Sequence, residues 1–138
     1  MITYAAEGIA MPLIDEARLT RWIQDVAATY GRRVGDIAYQ FVPDERILAV
    51  NREFLQHDYY TDIITFDYCE RDLLAGDLVI SLDTVRSNAL QLGVPYEQEL
   101  HRVIIHGILH LCGVNDKGPG ERELMELAEN RALALLTP

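Results

Sequence analysis

The sequence predicts an α+β fold, a small mixed β-sheet with helices packed on it. Segments of alternating or β-branched residues interleave along the chain with segments whose apolar residues recur at helical spacing. Of the 138 residues, 49% are hydrophobic and 25% charged, the balance of a buried core under a polar surface. No internal repeat, low-complexity tract or Pro/Gly/Ser-rich linker interrupts the chain, so residues 1–138 read as a single domain.

The first helix is predicted over residues 14–30, where Ile14, Leu19, Trp22, Ile23 and Val26 share a face and Gly31 follows as a stop. Residues 36–42 alternate around Ile37, Tyr39 and Phe41 as a strand. Pro43 and Asp44 punctuate it, a short helix follows over 44–55, and residues 56–61 read as a loop. Strands are expected at 62–68, rich in β-branched and aromatic residues, and at 77–81 after Gly76. A helix over 83–92, capped by Asp83, stops at Gly93. Pro95 opens the longest helix, 96–112, which ends at Gly113. After a loop at 114–120, a last helix runs over 121–136 with Leu124, Leu127, Leu133 and Leu135 on or near its apolar side.

Charge narrows the function classes. Lys and Arg number 12 against 22 Asp and Glu, a formal net charge of −10. Bulk electrostatic grip on nucleic acid or on an anionic membrane is disfavoured, and DNA is not expected as a partner. All the cations but Lys117 are arginines, which make planar bidentate phosphate contacts, so local anion binding survives; Arg32, Arg33, Arg46 and Arg52 are the candidates to line a cleft. Cys69 and Cys112 form neither a disulfide framework nor a Cys-rich zinc site. With no basic segment leading an apolar run at the N-terminus and no spanning-length apolar stretch, a reducing cytoplasmic compartment is expected.

The chemistry concentrates in His106-Gly107-Ile108-Leu109-His110. Histidines at i and i+4 lie on one helical face and can reach one metal ion. A left-handed turn at Gly113 would fold the chain back and return Asp116 towards them. His106, His110 and Asp116 then make a two-histidine, one-carboxylate set for zinc or another divalent ion. The surrounding helix is apolar, where unpartnered imidazoles are costly. His101, about 140° round the helix from His106, and Cys112 point elsewhere. The zinc-peptidase signature H-E-x-x-H needs a glutamate as base after the first histidine, and Gly107 stands there. Two explanations of that glycine are open: close approach by substrate or a neighbouring backbone, or tight helix–sheet packing.

The segment His106-Gly-Ile-Leu-His-Leu-Cys-Gly-Val-Asn-Asp116 resembles the H-G-x-L-H-L-x-G-Y-D-H motif of the YbeY family, metal-dependent endoribonucleases of ribosomal RNA maturation. Asn51, Phe54, Asp58, Thr61, Asp62 and Phe66 resemble a second family stretch, and Gly76-Asp77-Leu78-Val79-Ile80-Ser81 a third. Asp116 replaces the family's third histidine. Leu55 stands where the family usually has an arginine, with Arg52 one turn earlier as the candidate replacement.

The resemblance implies a zincin-like metal-site helix, one zinc ion per chain, and single-strand-specific cleavage of ribosomal RNA, with ribosome-associated proteins as partners. His57, Asp58, Asp62 and Arg52 are the candidate catalytic residues beside the metal; Asp58 and Asp62 also fit plain turn caps, and His57 a solvated loop histidine. Glu121, Glu123, Glu126 and Glu129 read as a solvated helix face. Two competing functions are a zinc-dependent peptidase or amide hydrolase, and a non-catalytic ribosome-associated module with a structural metal.

Overall fold

The computed structural model describes residues 1–56 and 61–136. Four strands form one mixed sheet in the order β1-β2-β4-β3. They are β1 (Ile2–Ala6), β2 (Arg33–Val42), β3 (Ile63–Asp67) and β4 (Leu73–Ser81). β1 and β4 pair parallel to β2 on either side, and β3 runs antiparallel to β4 at the edge. The helices are α1 (Glu16–Thr29), α2 (Asp44–Phe54), α3 (Leu82–Leu92), α4 (Tyr96–Leu111) and α5 (Glu121–Ala134).

Strand alternation divides the sheet into two faces. Ile37, Tyr39, Phe41, Leu74, Leu78 and Ile80 point to one side and join Leu19, Trp22, Ile23, Val26 and the apolar residues of α4 in the main core. The opposite face is covered by α2 at one end, where Ile47 packs with Val42, Ile64 and Val79. Two polar ties anchor the main core. Tyr39 donates to the Ile104 carbonyl at 2.8 Å, and Trp22 Nε1 donates to the Ala132 carbonyl at 2.7 Å, so α5 is pinned to α1. Among the described residues no helix is long and apolar enough to cross a membrane.

Several boundaries depart from the sequence-based expectation. β1 was not expected. Its Thr-Tyr pair favours a strand, but what holds it is nonlocal pairing with residues 37–41. β4 begins at Leu73, and Gly76 lies inside it rather than before it. A Cβ at Gly76 would sit 2.5 Å from the Phe66 carbonyl oxygen, so only glycine lets β3 approach there. The cap of α3 is Ser81, whose hydroxyl accepts the Thr84 N–H; Asp83 instead accepts the Asp44 N–H at the start of α2, at 2.9 Å. On α5 the buried residues are Met125, Ala128, Glu129 and Ala132, while Leu124, Leu127 and Leu135 are exposed. Leu133, expected on the apolar side, does pack against the core, and the small Ala128 and Ala132 beside it let α5 lie close to its neighbours.

Candidate active site

α4 is buried along most of its length, and His106 emerges from it half-buried into a cleft of about 670 Å3 between α3, α4 and α5. The site end of that cleft is lined by Asp62, Glu99, Arg102, His106, Asp116 and Glu129. Its acidic side chains outnumber its cations, so it attracts a cation rather than an anion.

The chain reversal expected at Gly113 is present. Gly113 has φ +94, its N–H bonds to the His110 carbonyl, and the Val114 N–H bonds to the Leu109 carbonyl, each at 3.0 Å. This double bond is the Schellman closure of a helix end, and the positive φ favours glycine. The turn returns Asp116 to the helix, with Oδ2 3.5 Å from His106 Nε2. The other ring nitrogen, Nδ1, lies 2.8 Å from Glu129 Oε2.

The structure therefore brings together His106, Asp116 and Asp62. His110 is exposed in the last turn of α4 and does not line the cleft. Arg52 lies in the last turn of α2, across the sheet from α4, and does not line it either. Leu55 caps α2, its N–H bonded to the Asn51 carbonyl. His57 and Asp58 lie outside the described residues. Among the described residues no three His, Cys, Asp or Glu side chains converge as a metal set.

Two of the three expected donors, His106 and Asp116, stand at a separation a divalent ion could bridge. Two ligands on a tetrahedral zinc with bonds of about 2.0–2.1 Å stand about 3.4 Å apart. The Nε2–Oδ2 separation of 3.5 Å matches that edge, and His110 sits one turn along the same helix.

Gly107 now has a physical account. It faces the sheet, and a Cβ there would lie 3.0 Å from Ile63 Cδ1 and 3.1 Å from Leu78 Cδ2. Of the two explanations open from sequence, helix–sheet packing is the observed one. His101 turns away from the cleft, edge-on to Trp22 at 6.0 Å between ring centroids. Cys112 is buried in the core, and burial pushes its thiol up to about 11.

Glu129 corrects the reading of the acidic run as a solvated face. It is buried, and it contacts both His106 and Arg102. Its place four residues after Met125 and next to Ala128, on the buried stripe, is the signal that could have found it. The arginines of the cleft also differ from those expected: Arg102 and Arg122 line it. Arg33 pairs with Asp72 at 3.0 Å, Arg46 with Glu7 at 3.7 Å, and Arg32 donates to the Cys112 carbonyl at 3.3 Å.

Electrostatics follow from this arrangement. Burial raises the Asp62 carboxyl, partly opposed by His106. Burial opposes charge on His106, but the hydrogen bond and charge of Glu129, with Asp62 and Asp116, outweigh it and raise the ring above its ordinary 6.5. Glu129 is lowered: burial works against its charge, but His106 and Arg102 prevail. The raised ring stabilises the metal-free protein fully below pH 6.5, and that contribution disappears as pH climbs through the folded value. The lowered Glu129 contributes above its ordinary 4.5 and is lost as pH falls through its folded value. Urea titrations of chelated protein should therefore show wild type losing stability relative to His106→Ala as the solution turns alkaline. A constant difference between the two across that range would contradict the ion pair.

Fold and cleft together define an α+β protein with a histidine–carboxylate cleft beside its longest helix. The family described as Endoribonuclease YbeY matches residues 8–137, and the chain belongs to that family. It is 69% identical over 137 residues to Endoribonuclease YbeY of Phocaeicola vulgatus, covering 99% of each chain. It is 68% identical to the Bacteroides thetaiotaomicron protein of that name, over 97% of this chain and 98% of the other. To that of Porphyromonas gingivalis W83 it is 57% identical, over 98% and 89%. The solution structure of TM1509 from Thermotoga maritima superposes with a TM-score of 0.65 at 26% identity, over 99% of this chain and 89% of that one.

Proposed function

We propose that the chain cuts single-stranded RNA in this cleft during maturation and quality control of small-subunit ribosomal RNA. Its place in a family of endoribonucleases supports the reaction. The observation that carries the site is the approach of His106 Nε2 to Asp116 Oδ2 at the tetrahedral edge length. His106, His110 and Asp116 are the residues to hold one divalent ion, zinc first. Such an ion supplies Lewis-acid polarisation of a phosphoryl oxygen and a more acidic water. Asp62, its carboxyl raised by burial in the same cleft, is placed to hold or pass a proton. His57, Asp58 and Arg52 are further candidates, Arg52 from the last turn of α2. Arg102 and Arg122 are the cations nearest to where phosphates would run.

A formal charge of −10 makes unaided RNA affinity weak. Ribosome-associated proteins in the cytoplasm deliver the substrate in this reading. The peptidase alternative is not favoured, because its base position is Gly107, closed over by Ile63 and Leu78.

The test compares wild type, Asp116→Ala and Asp116→His for metal content and for chelator-sensitive cutting of single-stranded RNA. Alanine should lose the metal and the cutting together, and histidine should keep the metal. Equal metal in all three proteins would remove Asp116 from the site.

A further inference from the structure

We propose that Glu129 is the positioning residue of the site: it holds the proton of neutral His106 on Nδ1 and so leaves Nε2 bare, facing Asp116. The proposal rests on the assignment of His106 to the active site, and it concerns a residue 23 positions downstream on a different helix.

A neutral imidazole has one donor and one acceptor nitrogen, and its neighbours decide which is which. Both carboxylates only accept, but Glu129 Oε2 lies 2.8 Å from Nδ1 whereas Asp116 Oδ2 lies 3.5 Å from Nε2, so the single proton sits on Nδ1, where the hydrogen bond is short. The carboxylate is itself fixed. Its Oε1 accepts from Arg102 Nη1 at 2.9 Å, and Arg102 Nη2 donates to Asn130 Oδ1 at 3.1 Å. Glu129 is 9% exposed, so water competes little for either oxygen. With one oxygen on a guanidinium and the other on the ring, the carboxylate cannot rotate without breaking one of the two bonds. The other nitrogen, 3.5 Å from Asp116 Oδ2, is the one turned to Asp116 across the cleft. Buttressing of this kind fixes a ligand's tautomer and aim.

The chemistry makes an inverting variant available. In Glu129→Gln the amide has one oxygen and one NH2 group. Arg102 can only donate, so the amide oxygen turns to it and the NH2 turns to Nδ1. Nδ1 must then accept, and the proton moves to Nε2. Glu129→Asp keeps two accepting oxygens.

Ring nitrogen NMR on metal-free protein, at a pH where the ring is neutral, reads the tautomer directly. Wild type should show Nδ1–H with Nε2 bare, Glu129→Gln the reverse, and Glu129→Asp the wild-type form. His101 is the internal control and should not change. Zinc affinity, measured by competition with a chromogenic chelator, should fall roughly 10- to 100-fold in Glu129→Gln and recover in Glu129→Asp. A wild-type ring protonated on Nε2 overturns the proposal whether or not any variant folds. So does zinc affinity unchanged in Glu129→Gln. The tautomer is read without metal or RNA, so failure of wild type to bind zinc would overturn the metal assignment and leave the tautomer result standing.

Discussion

Gly107→Glu should produce a severely destabilised chain, rather than a peptidase. The substitution restores the glutamate of the H-E-x-x-H signature, but the position faces the sheet and not the cleft. Even a Cβ meets Ile63 at 3.0 Å and Leu78 at 3.1 Å. A full glutamate must displace both and place a carboxyl among methyl groups. Overpacking costs about 1–3 kcal/mol and an unsatisfied buried polar group about 1–3 more. Together they consume much of the roughly 5–15 kcal/mol that holds a domain folded. Gly107→Ala sets the contrast. Its Cβ pushes only on the ends of flexible side chains, and the helix gains about 1 kcal/mol, so it should stay within about 1 kcal/mol of wild type. Urea unfolding followed by near-UV and far-UV circular dichroism separates the outcomes. A Gly107→Glu protein with a wild-type midpoint would show that the α4–sheet contact is looser than described.

His106→Ala should do the opposite, sparing the fold and removing the activity. The ring is 23% exposed and faces the cleft, so its removal leaves no sealed cavity. It deletes the hydrogen bond to Glu129, a charge-assisted contact worth about 1.5–3 kcal/mol, while Arg102 continues to hold that carboxylate. If His106 is a metal ligand, the lost stabilisation of phosphoryl charge is several kcal/mol. About 4 kcal/mol corresponds to roughly a 10^3-fold fall in cleavage rate. Metal content should fall with it. His101→Ala, on the far side of α4, should cut at the wild-type rate. Undiminished cleavage by His106→Ala would place the reaction elsewhere in the molecule.

What the sequence disclosed follows the range of the forces involved. α1, α3 and α4 were legible because an apolar face, a Pro start or a Gly stop is local information. The return of Asp116 was legible for the same reason, since Gly113 alone specifies the reversal. β1 was not, because its strand character comes from partners more than thirty residues away. The inward face of α5 was legible only at Leu133, because leucine outranks alanine on any hydrophobicity scale, whereas Ala128 and Ala132 face inward where the helix packs closely. Glu129 was hidden by its three acidic neighbours in the same run, and only the position of α4 reveals that it has partners. The arginines of the cleft were missed similarly: Arg102 is a single cation in a largely apolar helix, while Arg32 and Arg33 stand out as a pair.

The dependence of His106 on α5 bears on biosynthesis. A nascent polypeptide halted before residue 121 has neither the carboxylate that meets Nδ1 nor the carbonyl that Trp22 seeks. The motif helix is translated earlier, yet the wall opposite it arrives last. The enclosure around the motif helix is thus complete only once the last-made segment has docked.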